Sequence, residues 1–221
     1  VIPLPAAVLF DMDGTLVDTE GLWLESEIHV MGVLGSDWHH EDQVVCLGGP
    51  LERVTAHMRA RSGTQLTDDE IGILLLDQME MRLLASPPEW RPGARELLLE
   101  CRALGVPTAL VSASWARLIS AVADRLSEDL GAQLFDVVVA GDDVRNSKPH
   151  PEPYQLAALR LGLSAQQCLA LEDSPTGVTS ARDAGCRVVA VPHLAEVAHL
   201  GTAVTPSLAG MGLAELWGLT F

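Results

Sequence analysis

Five short runs of this 221-residue chain are apolar at nearly every position: AAVLF at 6–10, PTALVS at 107–112, FDVVVA at 135–140, CLALE at 168–172 and CRVVAV at 186–191. A strand with no polar face must be covered on both sides, which is how central strands of a parallel sheet read. Helical patterns separate the runs, at 92–104, 115–130, 154–161 and 176–184; Gly105, Gly162 and Gly185 close three of them. Strand and helix in alternation predict an α/β fold, a doubly wound parallel sheet of Rossmann-like type.

One region breaks the rhythm. No strong strand run lies between about 16 and 86. Instead LWLESEIHVMGVL and LERVTAHMRARSG look amphipathic, and LTDDEIGILLLDQMEMRLLA opens on Thr67 with Glu70 three residues later, a capping-box spacing. These predict an all-helical cap domain at 17–86, inserted into a core made of 1–16 and 87–221. SPPEWRPG at 86–93 reads as the return linker, and SLAGMGLAELW at 207–217 as one last helix over the sheet.

Composition narrows the partners. The formal net charge is −16, from 30 acidic and 14 basic residues, which excludes the basic face that nucleic acid needs. Apolar stretches are too short to span a membrane, and the start carries no basic segment followed by a long apolar one. Cys46, Cys101, Cys168 and Cys186 are scattered with no paired spacing, so reduced core thiols are expected. A cytoplasmic enzyme is the expectation, monomeric, with an oligomer left open.

The first apolar run ends in FDMDGTLVDT at 10–19, with Asp11 and Asp13 one residue apart and Gly14 behind them. Carboxylates in a parallel strand's last residues stand at the edge where such folds bind ligands. A polar turn would also explain this pair alone. Three later strand ends add matching groups: Ser112 and Ser114 in VSAS, Lys148 in GDDVRNSKPHPEP, and Glu172, Asp173 and Ser174 in LEDSPTG. Four converging carboxylates imply a hard cation, Mg²⁺ above all. A lysine and a serine beside a cation imply an oxyanion, and phosphate is the economical guess.

The ordered set DMDGT, a serine after the second strand, Lys148-Pro149 and EDS resembles the haloacid dehalogenase-like superfamily. It is most similar to the helical-cap branch of beta-phosphoglucomutase- and phosphatase-like members, over essentially the whole chain. The resemblance implies that Asp11 is a nucleophile and Asp13 the general acid and base. It implies metal ligation by Asp11, the Asp13 main-chain carbonyl, Asp173 and Glu172, the last directly or through water. It gives Ser112 a phosphoryl oxygen, with N–H groups near Met12, Asp13 and Ala113, and has Lys148 bridge nucleophile and phosphoryl group. The expected substrate is a small phosphorylated metabolite. A mutase moving phosphate within a sugar, and a non-catalytic binding protein, are the alternatives. The dehalogenase members usually lack the second aspartate, so Asp13 favours phosphoryl transfer.

Other residues carry secondary expectations. Asp18 or Thr19 is read as the N-cap of the first cap helix, Glu20 as a specificity contact, and Trp23 as cap core. Within CLGGPLERV at 46–54, where mutase-like members place an arginine for a second phosphate, Leu51 or Glu52 falls near that place and Arg53 is displaced. His39 and His40 are read as exposed loop residues, and His150 as part of a rigid lead-in to a helix. Asp142 is a polar turn or touches Lys148, Trp115 packs the next helix or rims the phosphate site, and Arg117 faces solvent.

Overall fold

The computed structural model describes residues 4–46, 50–86, 88–131, 133–197, 200 and 202–221. Six parallel strands form the main sheet. They are β1 (Ala7–Phe10), β4 (Thr108–Val111), β5 (Val137–Val139), β6 (Cys168–Glu172), β7 (Arg187–Ala190) and β8 (Ala203–Val204), in the order β5-β4-β1-β6-β7-β8. The chain leaves β1 for β4 and β5 on one side, then returns to β6 and β7 on the other. The switch point therefore lies beside β1.

Residue alternation splits the core into two layers. Val8, Phe10, Leu110, Leu169 and Leu171 face α5 (Ala94–Leu104), α6 (Ala116–Leu130) and α9 (Leu213–Gly218). Ala7, Leu9, Ala109, Val111 and Ala170 face α7 (Glu152–Arg160) and α8 (Pro175–Asp183). Period-two side chains with cover on both faces explain the continuously apolar runs. The cover of β1 leaves none of its four side chains exposed, and each large one contributes about 1.5–3 kcal/mol relative to exposure.

The inserted region holds α1 (Glu20–Val33), α2 (His40–Cys46), α3 (Leu51–Ser62) and α4 (Asp68–Ala85). They enclose their own cluster, including Val30, Met31, Trp38, Met58, Ile71 and Leu75. The Thr67–Glu70 capping box is present at the start of α4. The sequence reading missed that α4 is shared: Leu76, Met79 and Leu83 belong to the core-side cluster. Arg117 of α6, expected to face solvent, keeps 37% of its side chain exposed and there pairs with Asp77 at 2.8 Å and Glu80 at 3.6 Å on α4.

Two further expectations are corrected, and a third, the N-cap of α1, is met in position only. The entry to and return from the insert are not plain linkers. β2 (Val17–Asp18) and β3 (Glu89–Trp90) pair antiparallel, and Arg91 N–H donates to Leu16 O at 2.8 Å. Pro87, within the expected linker, lies outside the described residues. Residues 207–212 are not helical. Gly210 takes φ +76°, β8 precedes the segment, and α9 begins only at Leu213. Thr19 stands at the N-cap position of α1 without a side-chain capping bond, and its neighbour Asp18 faces Arg91 and His193. Among the described residues no helix is long and apolar enough to cross a membrane. All four cysteines are buried thiols.

Candidate active site

Three adjacent strand ends build the floor. Asp11 follows β1, its N–H donating to Leu171 O at 3.1 Å. Ser112 follows β4, its N–H donating to Val139 O at 3.0 Å. Glu172 ends β6 and Asp173 comes next. Lys148 arrives from the loop between β5 and α7 and is buried. Its Nζ donates to Asp11 Oδ1 at 2.7 Å, Val111 O at 2.9 Å and Glu172 Oε1 at 2.5 Å. These partners engage all three protons of the ammonium. Lys148 therefore reaches a phosphoryl oxygen only by exchanging one of them.

Asp11, Glu172 and Asp173 each offer a carboxylate oxygen within 4.8 Å of the others'. One ammonium faces three carboxylates, in a place with little water to spread the charge. Burial, then Glu172, pushes Asp11 up to about 7 against the opposing pull of Lys148. Burial, then Asp11 and Glu172, pushes Asp173 well above the carboxylate range. Burial alone would lower Lys148, but Asp11 and Glu172 outweigh it and hold the ammonium charged. An excess of clustered hard oxygen donors fits a divalent cation such as Mg²⁺. Gly14 keeps the cluster open: it takes φ +84°, and a Cβ there would overlap the Asp173 carboxylate.

Asp13 is held apart from this group. Its Oδ1 accepts from Thr19 Oγ1 at 2.5 Å and Trp23 Nε1 at 3.5 Å. Its Oδ2 accepts from Ser114 Oγ at 2.9 Å and Ser112 Oγ at 3.3 Å. Two aspartates one residue apart thus sit in unlike surroundings. Asp11 is locked to a cation, while Asp13 is ringed by neutral donors from both walls.

A cavity of about 430 Å³ opens above them. Asp11, Asp13, Ser112, Ala113, Lys148 and Asp173 line it from below, and Glu20, Trp23, Leu24, Glu27, Leu51 and Arg53 are among its cap-side lining. Met12 is buried in the core instead, so only its main chain is available to the site. Trp23, read as cap core, is a cavity residue that also packs against the cap cluster and against the core layer that holds Phe10 and Leu171. Trp115 also lines the cavity. Asp142 Oδ1 accepts from Ala116 N–H at 2.9 Å, capping α6. His39 and His40 are exposed, and His150 Nδ1 accepts from Glu152 N–H at 3.2 Å. Leu47, Gly48 and Gly49 of the cap loop lie outside the described residues.

Sequence reasoning missed three residues here. Ser114 has no role in the sequence pattern itself, although period two from Ser112 puts it on the same side. Tyr154, fully buried on α7, donates its phenol to Glu172 Oε1 at 2.6 Å, and its ring lies 5.1 Å from Lys148 Nζ. Glu27 lines the cavity and accepts from Trp38 Nε1 at 2.9 Å.

A doubly wound sheet whose switch-point edge gathers these carboxylates around a buried lysine, beneath a helical cap, is a hydrolase architecture. The chain belongs to the haloacid dehalogenase-like hydrolase family, whose profile matches residues 8–191. Within it the chain is close to the CbbY and beta-phosphoglucomutase-like branch. It is 34% identical over 193 residues to protein CbbY of Rhodobacter capsulatus, covering 84% of this chain and 85% of that one. Hexitol phosphatase B of Escherichia coli (strain K12) is 31% identical over 187 residues, covering 84% of this chain and 83% of that one. Among solved structures, an aspartate-to-asparagine variant of CbbY from Rhodobacter sphaeroides, in complex with xylulose-(1,5)bisphosphate, superposes with a TM-score of 0.85. That match has 28% identity and covers 96% of this chain and 99% of the other.

Proposed function

We propose that this protein is a Mg²⁺-dependent phosphatase that hydrolyses a small phosphomonoester, a phosphosugar, phosphopolyol or similar metabolite, through an aspartyl phosphate on Asp11. Residues 17–86 act as the cap that chooses the leaving group. The observation that carries the reading is the separation of the two aspartates: one beside a lysine and two further carboxylates, the other among hydroxyls at the cap entrance.

Asp11 attacks phosphorus through a carboxylate oxygen, and the bond from phosphorus to the leaving oxygen breaks. Asp13 gives its proton to that oxygen. Asp13 then takes a proton from water as the water oxygen attacks phosphorus, and the bond to Asp11 breaks to release inorganic phosphate. Thr19 and Ser114 hold the Asp13 carboxyl in place. Lys148 holds Asp11 against the approach of an anionic ester. Ser112 and the main-chain N–H groups near Met12, Asp13 and Ala113 receive the phosphoryl oxygens. Asp11, Asp173 and Glu172, with the Asp13 carbonyl, would hold Mg²⁺, whose contribution is positive charge against the phosphoryl group. The cap excludes water while transfer occurs.

The test is phosphate release from an aryl phosphate with Mg²⁺, then with excess EDTA, followed by a metabolite panel. Release that EDTA abolishes is expected, with Asp11→Asn lowering turnover by roughly 10⁴-fold or more. Full turnover in Asp11→Asn would sink the mechanism. An isomeric sugar phosphate accumulating in place of free phosphate would mark a mutase.

A further inference from the structure

We propose that Gly177 is a positioning residue of the catalytic wall: the missing side chain there seats the Glu172 carboxylate, and through Glu172 it sets the place of Lys148 beside Asp11. The proposal rests on the phosphatase reading for its activity readout alone.

Gly177 is the third residue of α8 and is buried. Its φ is not positive, so the backbone itself makes no demand for glycine. Glycine is among the poorest residues for a helix, so its presence needs another reason. A Cβ at this position would overlap both carboxylate oxygens of Glu172. The other α-helical glycines among the described residues meet no such obstacle. Gly21, Gly32 and Gly218 have nothing within 4 Å of the place a Cβ would take. Gly72 would meet only methyl groups of Leu51 and Thr55 at 3.6 Å, an ordinary contact.

Glu172 is closed in on its other sides and has no exposed surface. Its Oε1 accepts from Lys148 Nζ at 2.5 Å and from Tyr154 Oη at 2.6 Å. Its Oε2 accepts from Ser174 Oγ at 3.4 Å, and Ser174 Oγ in turn accepts from Gly177 N–H at 3.1 Å. A carboxylate forced away from Gly177 cannot keep all of these donors. Lys148 divides its three protons among Glu172, Asp11 and Val111 O. A shift of Glu172 therefore disturbs the ammonium that pairs with Asp11. Asp173 lies against Gly14 in the same way. Each of the two adjacent carboxylates at the end of β6 thus rests on a glycine from another element.

The experiment compares thermal unfolding of the metal-free protein in two backgrounds. In the wild type, Gly177→Ala is expected to lower the melting temperature. In Glu172→Ala, which has no carboxylate to displace, the same substitution is expected to raise it by about 2–4 °C, the ordinary gain of alanine over glycine in a helix. A general packing role for Gly177 would give a fall in both backgrounds, and that result overturns the proposal. A rise in both also overturns it. Should Glu172→Ala fail to fold, Glu172→Asp, one methylene shorter, replaces it. The fall caused by Gly177→Ala should be smaller there than in the wild type, and an equal fall overturns the proposal. Turnover of an aryl phosphate with Mg²⁺ tests the positioning role. Gly177→Ala should lower kcat at least about tenfold, with a smaller change in KM. An unchanged kcat, or a change in KM alone, overturns that role. A wild type without turnover would count against the phosphatase reading, and the melting comparison would then decide whether Gly177 seats Glu172.

Discussion

The strand-end wall of the cavity and the α1 wall both present carboxylates, but they hold them differently. At the strand ends Asp11 and Glu172 share one buried ammonium, Tyr154 adds a phenol, and β1 and β6 pair in register beneath them. On α1, Glu20 and Glu27 stand two turns apart, and Glu27 takes its partner, Trp38, from the cap itself. The first wall is a sheet edge whose geometry is fixed by neighbouring strands. The second belongs to a helical unit with its own small apolar cluster. On the proposed reading, chemistry that must not move is placed on the first, and the choice of leaving group is left to the second. Asp13 is where they meet, held by Ser114 from one side and Thr19 from the other.

That contrast can be broken most severely at Lys148. Lys148→Met removes the one ammonium that pairs with two buried carboxylates. Turnover should disappear, and stability of the metal-free protein at neutral pH should fall by about 3–5 kcal/mol, read from urea denaturation. A variant as stable as the wild type would mean that the carboxylates are not paired in the way described.

Gly14→Ala acts on the same wall without removing a charge. Its Cβ would push into Asp173, so Mg²⁺ affinity by calorimetric titration should fall about 10–100-fold, with the cap-side residues untouched. Unchanged affinity would show that Asp173 has room to move.

Tyr154→Phe is gentler. It deletes one donor to Glu172 and leaves the ring in the core. A loss of about 1–3 kcal/mol in stability is expected, with a fall in kcat and little change in KM. A change in KM alone would place Tyr154 outside the catalytic wall.

The smallest expected effect is on pH dependence, and both walls contribute to it. Asp11, Glu20 and Glu27 all have folded-state values raised to about 7, from ordinary values of 3.8, 4.5 and 4.5. Folding therefore favours their protonated forms. The stability this supplies is fully present below the unfolded values and is lost as pH rises through about 7. Without metal the melting temperature should be higher at pH 5–6 than at pH 8, and Mg²⁺ should restore it at pH 8. A metal-free melting temperature that rises with pH over that window would contradict the burial assigned to these groups.

Much of the catalytic wall was legible because it is written locally. Asp11 and Asp173 each follow directly on an apolar run, and Ser112 and Glu172 each close one, so the strand reading places all four at one edge. Parallel pairing then brings them together without further information. Tyr154 was not legible, because its partner is 18 residues away and its place in a helix reads as ordinary core. Glu27 was hidden for the same reason: its partner, Trp38, is 11 residues away. The β2–β3 ribbon has two residues per strand, too few for period two to register. Arg117 is exposed as read, but its ion pairs were not legible, because nothing near it in sequence announces that α4 would lie alongside α6.

The most direct test of the account asks whether the phosphoryl group passes through Asp11. The protein would be quenched during turnover of an aryl phosphate with Mg²⁺ and treated with borohydride, and the peptide spanning residue 11 examined by mass spectrometry. Reduction of an aspartyl phosphate leaves homoserine, so the account predicts homoserine at position 11, absent when substrate is omitted and absent in Asp11→Asn. An unmodified Asp11 during demonstrable turnover, or homoserine at another aspartate, would contradict it.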